Sequence, residues 1–209
     1  MSSPARLLAV TALAVAASQP VVAAPDAATL IAGLARQPPA SIAFAEVRFS
    51  SLLREPLIIS GNLAYGGPGN LERHVARPYR ETTTIRGESA RIEREGEEPR
   101  TFALKHAPEL QGFLSAFGAL LAGDAAALEK IFVVAASGED SLWQLELTPT
   151  DSRMRRRVRA IVVNGRNDQP RCVATLDAQG GGSVLLLGAA TPVAPDTSLD
   201  ALLAQCRAE

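Results

Sequence analysis

The sequence has few of the residues from which metal, cofactor and nucleic-acid sites are usually built. It contains two cysteines, two histidines, one tryptophan, two tyrosines and six phenylalanines among 209 residues. Neither His74 nor His106 has a partner at a spacing that metal sites use, so we expect no metal and no cofactor. The formal net charge is −1. Without a basic field, nucleic acid is excluded as a partner.

Catalytic motifs are also missing. The serines lack the Gly-x-Ser-x-Gly setting of a nucleophile elbow, and the histidines have no partner motif. Four glutamates between residues 93 and 98 crowd a Gly-Glu-Glu-Pro turn, which favours a solvated turn over a glycosidase pair. The glycine runs at 66–69 and 180–182 join strand to strand, so phosphate binding is not expected. The sequence therefore predicts a protein that is not an enzyme.

The first residues have the pattern of a secretory signal. Arg6 precedes an uncharged run over residues 7–17, and small residues follow up to Ala24. An apolar run of this length is too short to span a bilayer and is typical of a signal peptide. We predict a signal over residues 1–23, cleaved after Ala23, followed by one domain over residues 24–209.

Both cysteines lie in the predicted mature chain. In an oxidising compartment, two cysteines usually pair. A Cys172–Cys206 disulfide would tie a late strand to the C-terminal helix. Two free buried thiols are the alternative.

The periodicity predicts a long antiparallel meander of about ten strands. Alternation of apolar and polar residues begins at residues 41–53 and 57–65, and further short strands follow at regular spacing with turn signals between them. Helices are predicted from Asp26 to Gln37, over residues 110–121 and after Ser198. The fold class is therefore α+β, with one strongly curved antiparallel sheet covered by helices.

Two features have more than one interpretation. The arginines between Arg153 and Arg159 could meet anionic lipid or an acidic protein, or they could be a solvated turn and strand edge. The apolar stripe of residues 110–121 is either core or a movable lid over a lipid, and a lid's inner face is itself core when the cavity is empty.

Several short motifs together resemble periplasmic carriers of outer-membrane lipoproteins, and more closely a divergent LolA-like branch. The motifs, in order along nearly the whole mature chain, are Phe44-x-Glu46-x-Arg48, Leu52-Leu53-x-x-Pro56-Leu57, Ser60-Gly61-x-Leu63-x-Tyr65, Leu71-Glu72, Pro108-Glu109-Leu110, Leu121-Ala122-Gly123-Asp124 and Trp143-x-Leu145-x-Leu147-x-Pro149. The carriers that set this pattern have an arginine just before a proline, where this sequence has Gly67.

The resemblance implies an unclosed antiparallel β-barrel with a helical lid, in the periplasm, with acyl chains held in the space between. It implies an acylated cargo, which is a lipid, a lipoprotein or an aryl polyene-type lipid. It also implies an inner-membrane donor protein and an outer-membrane acceptor protein, with the carrier itself a monomer. Rival interpretations are a lipid sensor, or a scaffold with a filled interior and no cavity.

Thirteen residues are the expected lipid-binding set, although the strand pattern leaves open which side of each strand faces inward. They are Phe44, Val47, Phe49, Leu57, Ile59, Leu63, Tyr65, Leu110, Phe113, Leu114, Phe117, Leu121 and Trp143.

Overall fold

The computed structural model describes residues 25–208 except residues 140, 189–193 and 195. The predicted signal over residues 1–23 lies outside the described residues. The strands are β1 (Ala40–Phe49), β2 (Leu57–Gly67), β3 (Asn70–Arg77), β4 (Glu81–Arg86), β5 (Ser89–Arg94), β6 (Arg100–Ala103), β7 (Phe132–Glu139), β8 (Leu142–Pro149), β9 (Val158–Arg166), β10 (Gln169–Asp177) and β11 (Gly182–Leu187). The helices are α1 (Ala27–Gly33), α2 (Pro108–Ala122), α3 (Ala125–Glu129), α4 (Ser152–Arg155) and α5 (Leu199–Ala208), with a 3₁₀ turn at Leu104–His106.

All eleven strands form one antiparallel sheet in the order β6-β5-β4-β3-β2-β1-β11-β10-β9-β8-β7. Two local meanders, β1–β6 and β7–β11, are joined where β1 pairs with β11, so that Phe44 lies opposite Leu187. Within the described residues, β6 and β7 each pair on one side only, and the sheet is not closed. The predicted fold class, an unclosed antiparallel sheet with a few helices, is confirmed.

The details differ from the sequence prediction at several places. Strand β6 was not expected, because four residues are too few to show a period. The first strand ends at Phe49 rather than Leu53, since a turn follows in which the Leu53 amide donates to the Ser50 carbonyl at 3.0 Å. The first helix ends at Gly33 rather than Gln37. Helix α4 lies within the arginine run, where only a turn and strand were expected.

The sheet is covered on both faces, and alternate residues of the central strands therefore enter different cores. We call the side that contacts α1–α4 the inner face and the side under α5 the outer face. In β1, Phe44 belongs to the inner core, whereas Ala45 and Val47 belong to the outer core. In β11, Leu185 points inward and Leu186 outward. Burial on both faces explains why these strands contain nearly continuous apolar runs.

Helix α2 crosses the inner face as part of the connection between the two meanders. It ends at Gly123, which has a left-handed conformation with φ of 68°, and the Gly123 amide donates to the carbonyls of Ala119 and Leu120. The Asp124 carboxylate then accepts from the Ala127 amide at 2.9 Å and begins α3. A left-handed glycine after the last turn and an aspartate cap before the first turn are common ways to end one helix and begin the next.

Candidate functional site

A cavity of about 1070 Å³ lies between the inner face of the sheet and the N-terminal part of α2. Binding cavities for small molecules usually measure about 300–1,000 Å³, so this one is large. Its apolar lining consists of Phe49, Leu52, Leu53, Leu57, Leu63, Ile92, Leu110, Phe113, Val158, Val173 and Leu185. The space is therefore suited to an apolar chain.

One end of the cavity meets solvent at the loop between β1 and β2. Leu52 and Leu53 line this end, and Leu52 is 93% exposed. Arg156, Arg157 and Gln179 line the same cavity and are exposed at the surface. The opening thus combines exposed leucines with exposed arginines.

The two ends of α2 pack differently against the rest of the protein. Towards its C-terminus, Phe117 and Leu120 are buried in the inner core. The carbonyl of Leu121 accepts from the Arg36 amide at 2.8 Å, which fixes this end beside α1. Towards its N-terminus, Leu110 and Phe113 are only half-buried and border the cavity.

The N-terminal part of α2 rests on α4 through a glycine. A Cβ atom at Gly112 would lie 2.8 Å from Sδ and Cε of Met154. A side chain at position 112 would therefore require the flexible end of the Met154 side chain to shift. One turn later, the rings of Phe113 and Phe117 stack with their centroids 5.8 Å apart.

The structure brings five of the thirteen expected lipid-binding residues to the cavity. They are Phe49, Leu57, Leu63, Leu110 and Phe113. Phe49 also packs against the outer core, because β1 ends there.

The other eight residues do not line this cavity. Seven belong to the inner core or pack against it: Phe44, Ile59, Tyr65, Leu114, Phe117, Leu121 and Trp143. The eighth, Val47, lies fully buried on the outer face under α5. The indole of Trp143 donates to the Asn167 carbonyl at 2.7 Å, and its ring covers Gly165, so this side chain is fixed by β9 and by the turn between β9 and β10.

A charged strip on the cavity wall was missed by the sequence analysis. Glu46, Arg48, Arg73 and Glu81 all line the cavity. Alternation in β1 placed Glu46 and Arg48 on the side opposite Val47, and the pattern left open which of the two sides faces inward. The sequence did contain a sign that Glu46 is buried. Both alternating sets of residues in β1 include apolar members, because Phe44 lies on the same side of the strand as Glu46.

Glu46 is held by two arginines although it is only 7% exposed. Its Oε1 accepts from Nε of Arg48 at 2.7 Å, and its Oε2 accepts from Nη2 of Arg73 at 2.5 Å. Burial by itself lowers the pKa of Arg48, but the hydrogen bond and charge of Glu46, with Tyr79 and Glu81, outweigh it and raise that pKa. The Arg48 guanidinium is therefore charged at neutral pH.

The arginine run divides among three surroundings and does not form one continuous patch. Arg153 and Arg155 lie on α4, and Nη1 of Arg155 donates to the carbonyls of Pro149 and Thr150. Arg156 and Arg157 line the cavity, and Arg159 is exposed on β9.

Gly67 ends β2 with φ of 109°, a conformation that side chains rarely adopt. A lid lock through an arginine at this position is therefore incompatible with the local backbone.

Cys172 and Cys206 form a disulfide with their Cα atoms 5.8 Å apart, as expected from their number and compartment. Among the described residues, no group of three or more histidine, cysteine or acidic side chains could hold a metal ion. Over the same residues, every helix is too short or too polar to cross a bilayer.

A family model described as "Outer membrane lipoprotein carrier protein LolA-like" matches residues 16–208. Among solved structures, the chain is similar to the LolA superfamily protein NE2245 from Nitrosomonas europaea. The identity is 13%, the match covers 84% of this chain and 96% of that chain, and the TM-score is 0.41. So low a TM-score supports no inference, and the family assignment rests on the family model. The curated proteins contain no match to this chain.

Proposed function

The chain belongs to the LolA-like family of outer-membrane lipoprotein carrier proteins, and on that premise we propose that it carries an acylated molecule through the periplasm. The acyl chain occupies the cavity between α2 and the sheet, and export depends on the predicted signal over residues 1–23. The observation that carries this proposal is the apolar cavity of about 1070 Å³ under a half-buried helix end. The disulfide is consistent with an oxidising compartment.

Burial of the acyl chain provides the binding energy without any cofactor. Each methylene removed from water contributes about 0.8 kcal/mol, so one long chain suffices for tight binding. Release then requires an acceptor with a competing apolar site. We therefore propose an inner-membrane donor and an outer-membrane acceptor as partners.

Among the thirteen expected residues, Leu57, Leu63, Leu110 and Phe113 are the ones we propose for direct contact with the acyl chain, since they form part of the apolar lining. Phe49 would contact the chain near the opening. The buried members of the set, such as Phe117 and Trp143, would support the wall from behind.

The test is uptake of a fluorescent fatty acid by Phe113→Glu. A carboxylate at this half-buried position faces the cavity, and we expect uptake to fall by about tenfold or more, because burying an unpaired charge beside an acyl chain is costly. Gln111→Glu is the matched control. It adds the same charge to α2 at an exposed position, and it should leave uptake unchanged.

Circular dichroism and thermal unfolding of both variants separate loss of binding from loss of fold. Normal uptake by a folded Phe113→Glu variant would contradict the proposal. Native mass spectrometry of protein purified from the periplasm provides a second test, with one acyl species per chain expected. A wild-type protein that is purified empty and takes up no fatty acid would favour the scaffold interpretation.

A further inference from the structure

The charged strip on the cavity wall has more positive than negative charge. Glu46 lies between Arg48 and Arg73, and Nη1 of Arg73 also lies 3.8 Å from Oε1 of Glu81. The closer partner of Glu81 is Arg94, whose Nη2 and Nε donate to its Oε2 at 2.6 and 3.0 Å. Three arginines thus face two carboxylates, which leaves one positive charge in excess.

The strip continues to the edge of the sheet without changing this balance. Arg94 also donates to Glu97 at 3.2 Å, and Glu97 accepts from Arg100 at 2.7 Å. One further carboxylate and one further guanidinium are added, so the excess remains a single positive charge.

Arg48 is the member of the strip that is available to a ligand. Its side chain is 44% exposed, whereas that of Arg73 is 20% exposed and lies over the Phe44 ring, 5.0 Å from its centroid. Arg48 contacts Glu46 through Nε and Nη2, at 2.7 and 3.4 Å. This arrangement fixes the guanidinium plane while its outer edge borders the cavity.

The wall next to Arg48 supplies hydroxyl groups. Ser183 pairs with Arg48 across the β1–β11 register, and Thr175 pairs with Ser183 on the next strand. Both residues line the cavity. Asp177 is the acidic residue near these hydroxyl groups. Its Oδ1 accepts hydrogen bonds from the amides of Gln179 and Gly181 at 2.9 and 2.8 Å, so this oxygen is occupied by the turn between β10 and β11.

We propose that the cavity selects a single-chain amphiphile with an anionic headgroup, held by the guanidinium of Arg48. The strip has one positive charge more than its carboxylates balance, and an anionic headgroup beside Arg48 would neutralise it. Guanidinium groups bind carboxylates and phosphates through paired hydrogen bonds. The apolar lining from Leu63 to Leu185 takes the chain. This inference rests on the proposed function and specifies its substrate class.

Three probes with the same alkyl chain test the proposal: dodecanoate, dodecyl phosphate and the neutral dodecanol. Displacement of a fluorescent fatty acid gives their affinities for the wild-type protein. We expect at least one anionic probe to bind about tenfold tighter than dodecanol, the usual size of a charge-assisted hydrogen bond. A stronger effect of dodecyl phosphate indicates a phosphate headgroup, and a stronger effect of dodecanoate indicates a carboxylate.

Arg48→Gln should remove the preference for the anion, so that dodecanoate and dodecyl phosphate bind to this variant no tighter than dodecanol does. Arg159→Gln is the matched control, because it removes the same charge from an exposed site outside the cavity lining. Equal binding of all three probes to the wild type would overturn the headgroup proposal and leave the carrier proposal standing. If none of them binds, both proposals fail. If Arg48→Gln does not fold, the relative affinities of the three probes for the wild-type protein still test the headgroup proposal.

Discussion

The two faces of the central strands differ in how closely helices pack against them. On the outer face, small residues such as Ala45, Ala160 and Ala174 let α5 lie close to the sheet, and a disulfide holds it there. On the inner face, larger side chains meet four helices and still leave a cavity, with Glu46 buried in its wall. The same strands thus present a sealed surface on one side and an open one on the other.

The comparison indicates a division of tasks between alternate residues of one strand. Side chains that point outward form a packed core, whereas some of those that point inward line the cavity that we propose as the binding space. Because successive side chains of a strand point to opposite faces, one strand can contribute to the packed core with one set of residues and to the cavity wall with the other. Variants that distinguish the two faces test this division directly.

The largest effect on stability is expected from removal of the disulfide that joins α5 to the outer face of the sheet. Replacing both Cys172 and Cys206 by alanine should lower the free energy of unfolding by about 3–4 kcal/mol, because the bridge closes a long loop in the unfolded chain. Urea unfolding measures this loss. Uptake of fatty acid at low temperature should persist. A folded double variant that no longer takes up fatty acid would show that the two faces are not separate.

A matched pair on β11 gives the next largest effect. Leu186→Ala on the outer face should destabilise the protein by about 2–5 kcal/mol, the usual cost of a new void in a packed core. Leu185→Ala should cost less, about 1–2 kcal/mol, because the lost volume adds to a cavity that already exists. The same urea experiment compares them. Equal losses of stability, or a change of fatty-acid uptake only in Leu186→Ala, would contradict the division.

The smallest effect concerns a cap on the inner face. The amides of Met154 and Arg153 donate to Asp151 at 2.9 Å, and the first of these lowers its pKa most. With the folded pKa below the unfolded value of about 3.9, the stabilisation is present above that pH and is lost as the pH falls through the folded pKa. Asp151→Asn keeps an acceptor but cannot titrate there.

We therefore expect the stability difference between wild type and Asp151→Asn to shrink as the pH falls below about 4. Unfolding of both proteins in urea at a series of pH values is the measurement. A difference that stays constant down to the acid limit would mean that Asp151 does not stabilise α4 through its charge. On the outer face, Leu186→Ala should show no such pH dependence.

Sequence patterns predicted most of the helices and strands, with β6 and α4 as exceptions, but not which side of each strand faces the helices of the inner face. Glycine turns and alternation predicted the meander, and the stripe around Phe113 predicted α2. Val47 and Phe44 show where the pattern fails, because both are apolar and yet point to opposite faces. When both faces of a strand are buried, hydrophobicity no longer identifies the inner one.

The charged wall could not be predicted for a related reason. Glu46 and Arg48 alternate with apolar residues in the manner of an exposed strand side, and the burial of Glu46 depends on its contact with Arg73 from β3. Five of the residues that line the cavity were within the expected set, whereas Ile92, Val158, Val173 and Leu185 were not. Only the tertiary contacts distinguish them from the core residues behind them.

The pairing of β1 with β11 also has a consequence for how the molecule is assembled. Each meander contains only contacts between neighbours along the chain, whereas the seam between them joins Phe44 to Leu187. Contacts so distant in sequence form slowly, since a long loop must close first. The free edge of β1 therefore stays without its partner until Gly182–Leu187 has been synthesised. During that interval, the six-stranded half carries an unpaired strand at what will become the middle of the finished sheet.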